Sequence, residues 1–380
     1  MRVLMLLANA FTNDARVYNE ATSLIKAGHD VTIIAWDGER ESPERQDWDG
    51  IQVFRLRTRV LPGRHHIPFL ATFNLLLWQS QARRRAFVLD RRKRFDVVHC
   101  HDLDTLAIGV RLKRKLRIPL VYDAHEIYGR MVASSVPRLI VRIIFWLEKR
   151  LLVKVDRVIV TSEPQRRYFE SIADKPITII MNCKRLQRLE YQAPHNDDFT
   201  VLYIGGLYQA RAVPMLVRVA KDLPGVRCII GGIGRPGDVQ ALEEECRRTS
   251  NVSFLGRVPL DEVIPMTMKA DAVFCMFDPG DPMHLIGSPN KLFEAMACGR
   301  PIICTRGTHS GDLTEQEDVG LAVEYTEQAL REAIISLRDD PALRERLGRN
   351  GLKAAITKYD WEREEAKLLA LYRELVISHR

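Results

Sequence analysis

The segment Ser288–Arg300 combines residue types that together could bind an anion and a sugar hydroxyl. Ser288 is a good N-cap residue, Pro289 suits the first helical position, and Gly299 is typical of the residue that ends a helix. The start of such a helix offers backbone N–H groups and the positive end of its dipole to an anion. Glu294, one turn inside, could accept hydrogen bonds from a ribose. The segment therefore predicts a nucleotide site, and the alternative is a capped amphipathic helix with a surface glutamate.

A second set of ligand-binding residue types follows the predicted strand 200–205. Gly205 and Gly206 would let a ligand approach the backbone, and Arg211 could bring a forked guanidinium to phosphate oxygens. A solvated surface arginine is the alternative. Because parallel α/β sheets bind ligands at the carboxyl ends of their strands, we expect Arg211 and Ser288–Lys291 to lie along the same edge.

Gly232–Gly237 matches the glycine pattern of dinucleotide-binding loops. The acidic residue expected about 20 residues later is missing, and a proline within the pattern suits a loop better than a pyrophosphate turn. We predict a glycine-rich loop beside some other ligand and no dinucleotide.

In the first half of the chain, histidines and carboxylates follow two predicted strands. His101 ends strand 96–101, and His125 and Glu126 follow strand 118–124. Two such histidines predict a sheet edge that handles hydroxyls and protons. Asp102 and Asp104 resemble a metal-binding Asp-x-Asp pair, but they are interpreted as caps of a helix over 105–116, and no metal is predicted.

Parallel sheets must position these residues, because short apolar runs alternate with helical patterns along the whole chain. Thirteen predicted strands are too many for one doubly wound sheet, so 380 residues predict two Rossmann-like domains. The polar stretch 183–199 is the predicted boundary, between an N-terminal domain of residues 1–185 and a C-terminal domain of residues 186–360. The predicted strands are residues 2–8, 30–36, 51–57, 96–101, 118–124, 157–162, 177–181, 200–205, 227–231, 252–255, 272–276, 301–305 and 320–323.

The net charge of +8 is unevenly spread, with +11 on residues 1–200 and −3 on residues 201–380. Two predicted helices, 69–85 and 137–155, place aromatic and aliphatic residues beside dense arginine and lysine, a pattern that favours contact with an anionic membrane surface. Ordinary core helices with a solvated basic face are the alternative. No zinc-finger, RNP or basic-zipper pattern accompanies the charge, so we predict no nucleic-acid partner.

Composition also bears on the compartment. Seven cysteines without a CxxC pair predict neither a disulfide framework nor a zinc site. The first residues predict a strand rather than a signal peptide, and no apolar run approaches the ~20 residues that span a bilayer. We therefore expect a cytoplasmic protein, peripheral on the inner face of the cell membrane.

Taken together, the order and spacing of these segments resemble the retaining GT-B glycosyltransferases of family GT4 (group 1). The resemblance spans nearly the whole chain and implies an α/β fold of two Rossmann-like domains whose parallel sheets face a central cleft, with the C-terminal helix 361–380 packing back on the first domain. It is carried by residues 26–31, His99–Asp102, Gly205–Arg211, Asn251–Pro259, Ser288–Gly299 and Tyr359–Glu362.

The resemblance implies a role for each matching residue. Arg211 would neutralise the donor diphosphate, Glu294 would hold the donor ribose, and His101 would lie near the transferring sugar, with His125 as second choice. The remaining donor-binding residues would be Gly205, Gly206, Gly256, Arg257, Val258, Ser288, Pro289, Asn290 and Lys291. The acceptor or sugar pocket would contain Asn13, Asp14, Arg16, His125, Glu126 and His284, although Asp14 alone could be an N-cap and Arg16 a surface residue.

Three positions depart from the family pattern. Ile286 stands where the family often has the first acid of a Glu-x7-Glu motif, which usually touches the donor sugar. Gly206 replaces the arginine of a frequent Gly-Arg pair, and Asn9–Arg16 replaces a Gly-Gly loop after the first strand. Lys291, at the helix tip, could compensate for the missing arginine.

The implied function is transfer of a hexose or N-acetylhexosamine from a UDP- or GDP-linked donor, without cofactor or metal, to a hydroxyl acceptor. The basic, apolar first half suggests a lipid-linked acceptor in envelope polysaccharide biosynthesis. The alternatives are a nucleotide-sugar epimerase of the same fold and a non-catalytic nucleotide-sugar-binding protein.

Overall fold

The structure, a computed structural model, describes residues 1–58, 68–133, 136–187, 189–207 and 211–378. It divides into unit 1, Met1–Ile180 with Glu365–Arg380, and unit 2, Met181–Glu364. Each unit contains a parallel β-sheet connected by α-helices, which confirms the prediction of two parallel-sheet α/β domains. Residues 208–210 of the predicted donor loop, Arg188 of the predicted boundary and residues 379–380 of the predicted last helix lie outside the described residues.

Among the described residues, unit 1 contains an eight-stranded sheet in the order β3-β4-β2-β1-β5-β6-β7-β8. Its strands are β1 (Arg2–Leu7), β2 (Asp30–Trp36), β3 (Arg45–Trp48), β4 (Ile51–Leu56), β5 (Val97–His101), β6 (Leu120–Ala124), β7 (Arg157–Val160) and β8 (Ile177–Ile179). The helices are α1 (Ala15–Lys26), α2 (Pro68–Arg92), α3 (Leu103–Leu116), α4 (Tyr128–Met131), α5 (Arg138–Leu152) and α6 (Glu163–Ile172).

Unit 2 contains a six-stranded sheet in the order β11-β10-β9-β12-β13-β14, counted over the same described ranges. Its strands are β9 (Phe199–Gly206), β10 (Val226–Ile233), β11 (Val252–Phe254), β12 (Ala272–Cys275), β13 (Ile302–Thr305) and β14 (Gly320–Val323). The helices are α7 (Val213–Lys221), α8 (Pro236–Arg247), α9 (Leu260–Lys269), α10 (Asn290–Cys298), α11 (His309–Gln316), α12 (Glu327–Asp339) and α13 (Pro341–Thr357), and α14 (Trp361–Ser378) returns the chain to unit 1.

Every predicted strand is present, with ends within two residues of those expected. The structure adds β3, which pairs antiparallel with β4 at the sheet edge. Its residues Arg45, Gln46 and Asp47 are polar, so the segment lacks the apolar run by which the other strands were predicted. Pairing with β4 and the packing of Trp48 against Phe11 (5.1 Å) and Tyr18 (5.2 Å) hold it in place.

Two predicted helix starts are wrong. Helix α10 begins at Asn290 with Pro289, not Ser288, at the N-cap, and no side chain caps it. Pro289 has an extended backbone (φ −71°, ψ 142°), and its side chain has no atom that could accept a capping hydrogen bond. Ser288 was predicted at the N-cap and Pro289 at the first helical position, so each residue lies one position earlier than predicted. Helix α3 begins at Leu103, earlier than predicted, with Asp102 at the N-cap position and Asp104 in the first turn, as the capping interpretation expected. The Asp102 side chain makes no capping hydrogen bond, because its carboxylate accepts from the backbone N–H of His125 (3.0 Å).

Close backbone packing explains the first two glycines of the 232–237 loop, Gly232 and Gly234, but not Gly237. Gly232 has φ +148°, and a Cβ added there would lie 1.7 Å from the carbonyl oxygen of Gly205 on the neighbouring strand. Its N–H donates to the carbonyl of Gly256 (2.7 Å). Pro236 begins α8. The pattern therefore reflects strand crowding beside the end of β9.

We expect Gly232→Ala to destabilise unit 2 by at least ~2 kcal/mol, because the added methyl cannot fit against the backbone of β9. Gly237→Ala is the matched control, since a Cβ at Gly237 meets nothing within 4 Å. Chemical denaturation of the two variants measures the difference. Equal stability of the two alanine variants would contradict the close packing at Gly232.

Candidate functional site

The carboxyl end of the unit 2 sheet presents an uncapped helix start. No side-chain hydrogen bond caps α10. The N–H of Leu292 donates to the carbonyl of Pro289 (3.2 Å), and the N–H groups of Asn290 and Lys291 before it remain available to an anion. Ser288 is buried, and its Oγ has no hydrogen-bond partner among the described residues. Strand order reverses beside β9, between β10 and β12, which is where open α/β sheets bind ligands.

Lys291 places a buried cation at this edge. Its Nζ lies 4.6 Å from the ring centre of Tyr203 and 6.0 Å from that of Phe277. A Cβ at Gly205 would stand 2.5 Å from the same nitrogen, so the ammonium fills space that a side chain at this position would take. Burial lowers the pKa of Lys291. A nearby anion would favour the charged form of this lysine.

Phe277, which follows β12, brings three predicted site residues together. The Arg211 guanidinium carbon lies 4.6 Å from the centre of the Phe277 ring, close to Lys291 on the same ring. The imidazole of His284 stacks on Phe277 at 5.0 Å and 26°. Sequence reasoning did not single out Phe277, although its position after an apolar strand end was a usable signal.

Glu294 forms an ion pair with Lys184, a residue of the predicted boundary stretch 183–199. The Nζ of Lys184 lies 3.1 Å from Oε1 of Glu294, and it donates to Oδ1 of Asn290 at 2.9 Å. Both charged side chains are 10% exposed. Lys184 also forms a β-bridge with Asp360, so this part of the predicted boundary stretch is folded into unit 2.

The other predicted donor residues lie at adjacent strand ends. The carbonyl of Gly206 accepts a hydrogen bond from the Tyr203 hydroxyl (2.5 Å). Gly256 (φ +65°) and the exposed Arg257 follow β11, and Val258 packs against Gly231 of β10. This loop is two strands away from β9 in the sheet.

At the carboxyl end of the unit 1 sheet, an ion-pair network lies under the predicted histidines. Arg16 donates two hydrogen bonds to Asp123, Nε to Oδ2 at 3.0 Å and Nη2 to Oδ1 at 2.7 Å, and Nη2 lies 3.2 Å from Glu20. Burial opposes the charge of Asp123, but Arg16 and His125 hold its pKa well below its usual range. Arg16 is thus a core residue rather than an open pocket residue or a surface one.

His101 and His125 occupy different depths at this edge. His101 is fully buried, with Nδ1 3.1 Å from Asp123, and burial lowers its pKa. His125 is 19% exposed, and its Nε2 lies 2.9 Å from Asp123. Burial opposes the charge of His125, yet Asp102 and Asp123 raise its pKa to about 10. The accessible histidine is therefore His125, the second choice from the sequence, and it is held as a cation.

The other residues predicted for the acceptor or sugar pocket of unit 1 are Asn13, Asp14 and Glu126. Asp14 is the N-cap of α1, as its alternative prediction stated, accepting from the N–H of Val17 at 3.1 Å. Asn13 is exposed and Glu126 is partly exposed.

Glu20, His99, His101 and Asp123 each offer a ligand atom within 4.8 Å of the others, a separation that could accommodate a metal ion. Arg16, however, already lies beside both carboxylates and supplies the positive charge that a metal ion would bring. His99 Nδ1 also pairs with the hydroxyl of Tyr372 (2.7 Å) from α14. The sequence pattern missed Glu20, His99 and Tyr372, because each stands in an otherwise ordinary amphipathic or apolar segment.

Residues 14–183 match the glycosyl transferase 4-like domain, and residues 198–340 match the glycosyl transferases group 1. This chain belongs to the group 1 (GT4) glycosyltransferases. Glycogen synthase of Mycobacterium tuberculosis is 23% identical over 369 residues, which cover 91% of this chain and 87% of that relative.

Solved structures of glycosyltransferases share the fold. Sucrose-phosphate synthase from Thermosynechococcus elongatus aligns over 100% of both chains with a TM-score of 0.81 and 18% identity. HepE of Anabaena in complex with UDP-glucose aligns over 98% of this chain and 100% of that chain, with a TM-score of 0.72 and 17% identity. These likenesses confirm the predicted GT-B fold.

No described helix of this glycosyltransferase combines the length and apolarity needed to cross a bilayer.

The buried carboxyl of Glu20 makes the stability of this glycosyltransferase depend on pH. Burial and the neighbouring Asp123 raise the pKa of Glu20 to about 8, so the folded protein holds a proton that the unfolded chain releases above its ordinary pKa near 4.5. Stability from this group is therefore complete at low pH and is lost as the pH rises toward 8.

Between pH 6 and pH 9, we expect wild type to lose about 2 kcal/mol more unfolding free energy than Glu20→Gln, whose amide stays neutral. Urea denaturation followed by tryptophan fluorescence measures this, because four of the five tryptophans lie in unit 1. The exposed Glu170→Gln is the control and should follow wild type. Parallel pH profiles for wild type and Glu20→Gln would disprove the assignment.

Proposed function

We propose that this glycosyltransferase is a retaining enzyme that moves a hexose or N-acetylhexosamine from a nucleoside-diphosphate sugar to a hydroxyl acceptor. The observation that carries the proposal is the convergence of Arg211 and Lys291 on Phe277, beside the uncapped start of α10. Two cations and open amide groups suit a diphosphate. The UDP-glucose complex of HepE supports a nucleotide-sugar donor.

In the proposed reaction, the bond from the anomeric carbon to the diphosphate oxygen breaks and the acceptor hydroxyl forms a new bond on the same face. The departing diphosphate takes the acceptor proton. Arg211, Lys291 and the amide groups of α10 stabilise the charge that develops on the diphosphate. These fixed groups supply the role that a divalent cation plays elsewhere, so the proposal includes no metal.

The sugar and acceptor would be held by side chains other than the family's first acid, because Ile286 occupies that position. His284, which stacks on the same Phe277 ring as Arg211, is the polar side chain that we propose contacts the sugar. His125, a partly exposed cation between Asp102 and Asp123, would donate hydrogen bonds to acceptor or sugar oxygens.

Arg211→Ala should weaken nucleoside-diphosphate binding by roughly 1.5–3 kcal/mol, the value of a hydrogen bond to a charged group. Calorimetry with UDP and GDP measures it. Arg227→Ala is the matched control, since Arg227 is an exposed arginine near the start of β10, at the opposite end of the strand from the site. Unchanged affinity in Arg211→Ala would remove this residue from the donor site.

A nucleotide-sugar epimerase and a non-catalytic binding protein are the competing functions. Incubation with a nucleotide sugar but no acceptor separates them: accumulation of the 2-epimer would favour the epimerase. Slow donor hydrolysis that is lost in Glu294→Ala would instead argue against a non-catalytic protein.

We also propose that unit 1 binds an anionic membrane surface from the cytoplasmic side, where a lipid-linked acceptor of envelope polysaccharide assembly would be reached. Helix α5 buries only Glu148 and Leu152, and Glu148 accepts hydrogen bonds from Tyr122 (3.0 Å) and Tyr168 (3.1 Å). One side of the helix, which includes Phe145, packs on neighbouring residues, and the other exposes an apolar surface flanked by arginine and lysine, with Leu139 at 66% and Trp146 at 56% exposure. Such a helix suits an anionic interface.

Replacing Leu139 and Trp146 with glutamate should abolish flotation with anionic liposomes and leave donor binding intact. Leu189→Glu, at a leucine of unit 2 that is 69% exposed, is the control and should float like wild type. Wild-type binding should fall at high salt, because part of the attraction is electrostatic. Equal flotation with neutral and anionic lipid would refute an anionic-membrane site.

A further inference from the structure

We infer that Lys184 is a positioning residue for Glu294 and that the two together recognise the ribose diol of the donor. The inference rests on the proposed donor site. It arises from a contact that the sequence analysis did not predict: Lys184 Nζ lies 3.1 Å from Glu294 Oε1 and donates to Asn290 Oδ1 at 2.9 Å. The lysine thereby spans one turn of α10, from its first residue to the carboxylate.

Hydrogen bonds and a β-bridge fix the backbone around Lys184. The carbonyl of Lys184 accepts a hydrogen bond from the N–H of Trp361 (3.2 Å), and the residue bridges to Asp360. Two residues earlier, the amide of Asn182 donates to the carbonyl of Ser288 at 2.9 Å. The segment 182–184 therefore holds both the start of α10 and the carboxylate one turn inside it.

The charges of this pair suit a vicinal diol. The Lys184 ammonium donates a hydrogen bond to Asn290 and forms an ion pair with Glu294. Of its three N–H groups, at least one therefore has no partner among the described residues. Oε2 of Glu294 likewise has no hydrogen bond to any described residue. Each diol hydroxyl can both donate and accept, so one can donate to Oε2 while the other accepts from the ammonium.

Without Lys184, the buried carboxylate of Glu294 would lose its paired charge and its fixed orientation. A buried carboxylate deprived of its partner turns toward solvent or takes up a proton, and either change removes a good acceptor for the ribose. Lys184 thus acts through Glu294 as well as by its own third donor. Arg211 and Lys291 serve the diphosphate and do not read the ribose.

The test compares the dissociation constants of a nucleoside diphosphate and its 2′-deoxy form by calorimetry. We would use UDP and GDP, and the 2′-deoxy counterpart of whichever binds. Wild type should prefer the ribonucleotide about tenfold or more, as expected for a hydrogen bond to a charged group. In Lys184→Met the preference should fall to within about twofold of unity. Arg211→Ala should weaken both ligands and keep the ratio, and Lys269→Met, at an exposed lysine of α9, should match wild type.

A retained preference in Lys184→Met would overturn the inference, because the lysine would then be only structural. If that variant fails to fold, the neutral pair Lys184→Met with Glu294→Gln keeps the volume without a buried unpaired charge. If this double variant still prefers the ribonucleotide over its 2′-deoxy form, the inference is likewise overturned. If wild type binds the ribonucleotide and its 2′-deoxy form equally, recognition of the ribose is refuted but the proposed function is not. If wild type binds neither nucleotide, the proposed function itself is contradicted.

Discussion

The proposed donor site in unit 2 is built around one close approach, that of the Lys291 ammonium to the end of β9. Gly205 has no Cβ, which leaves room for the nitrogen in its position over the ring of Tyr203. The same ammonium shares Phe277 with Arg211. Burying positive charge against aromatic rings costs free energy that a bound anion offsets. The uncapped α10 adds its amide dipoles at the same place, so the elements around β9 are arranged for a negatively charged ligand before one binds.

Unit 1 has a buried ion-pair network at the carboxyl end of its sheet. Arg16 places its guanidinium against Asp123 and Glu20, so two buried carboxyl groups share one cation. The remaining negative charge on Asp123 raises the pKa of His125 at the rim, while deeper histidines remain neutral because burial lowers their pKa values. Tyr372 of α14 closes the network from the far end of the chain. The network ties the first and last helices of unit 1 to the residues at its strand ends.

Much of this arrangement could be predicted because it is encoded locally. Apolar runs such as Val3–Leu7 are buried throughout their length, so their pattern identified each strand of the parallel sheets. The polar β3 could not be found in this way, since pairing with β4 creates it. The depth of His101 relative to His125 could not be predicted from the pattern either. Both histidines stand at or just after strand ends, and only the tertiary structure shows that His101 is fully buried whereas His125 is 19% exposed.

By itself, the sequence determined the strand and helix order, the two-sheet architecture, the family, and which residue types stand at the carboxyl ends of the strands. The strands, helices and sheet architecture follow from periodicity, which depends on near neighbours in the chain, whereas the family followed from the resemblance of the motifs in their order and spacing. The tertiary structure alone decided the partners of the long charged side chains. Lys184 reaches Glu294 across 110 positions, and Arg16 reaches Asp123 across 107. No local pattern specifies such pairs, because they exist only once helices and strands distant in sequence have packed together.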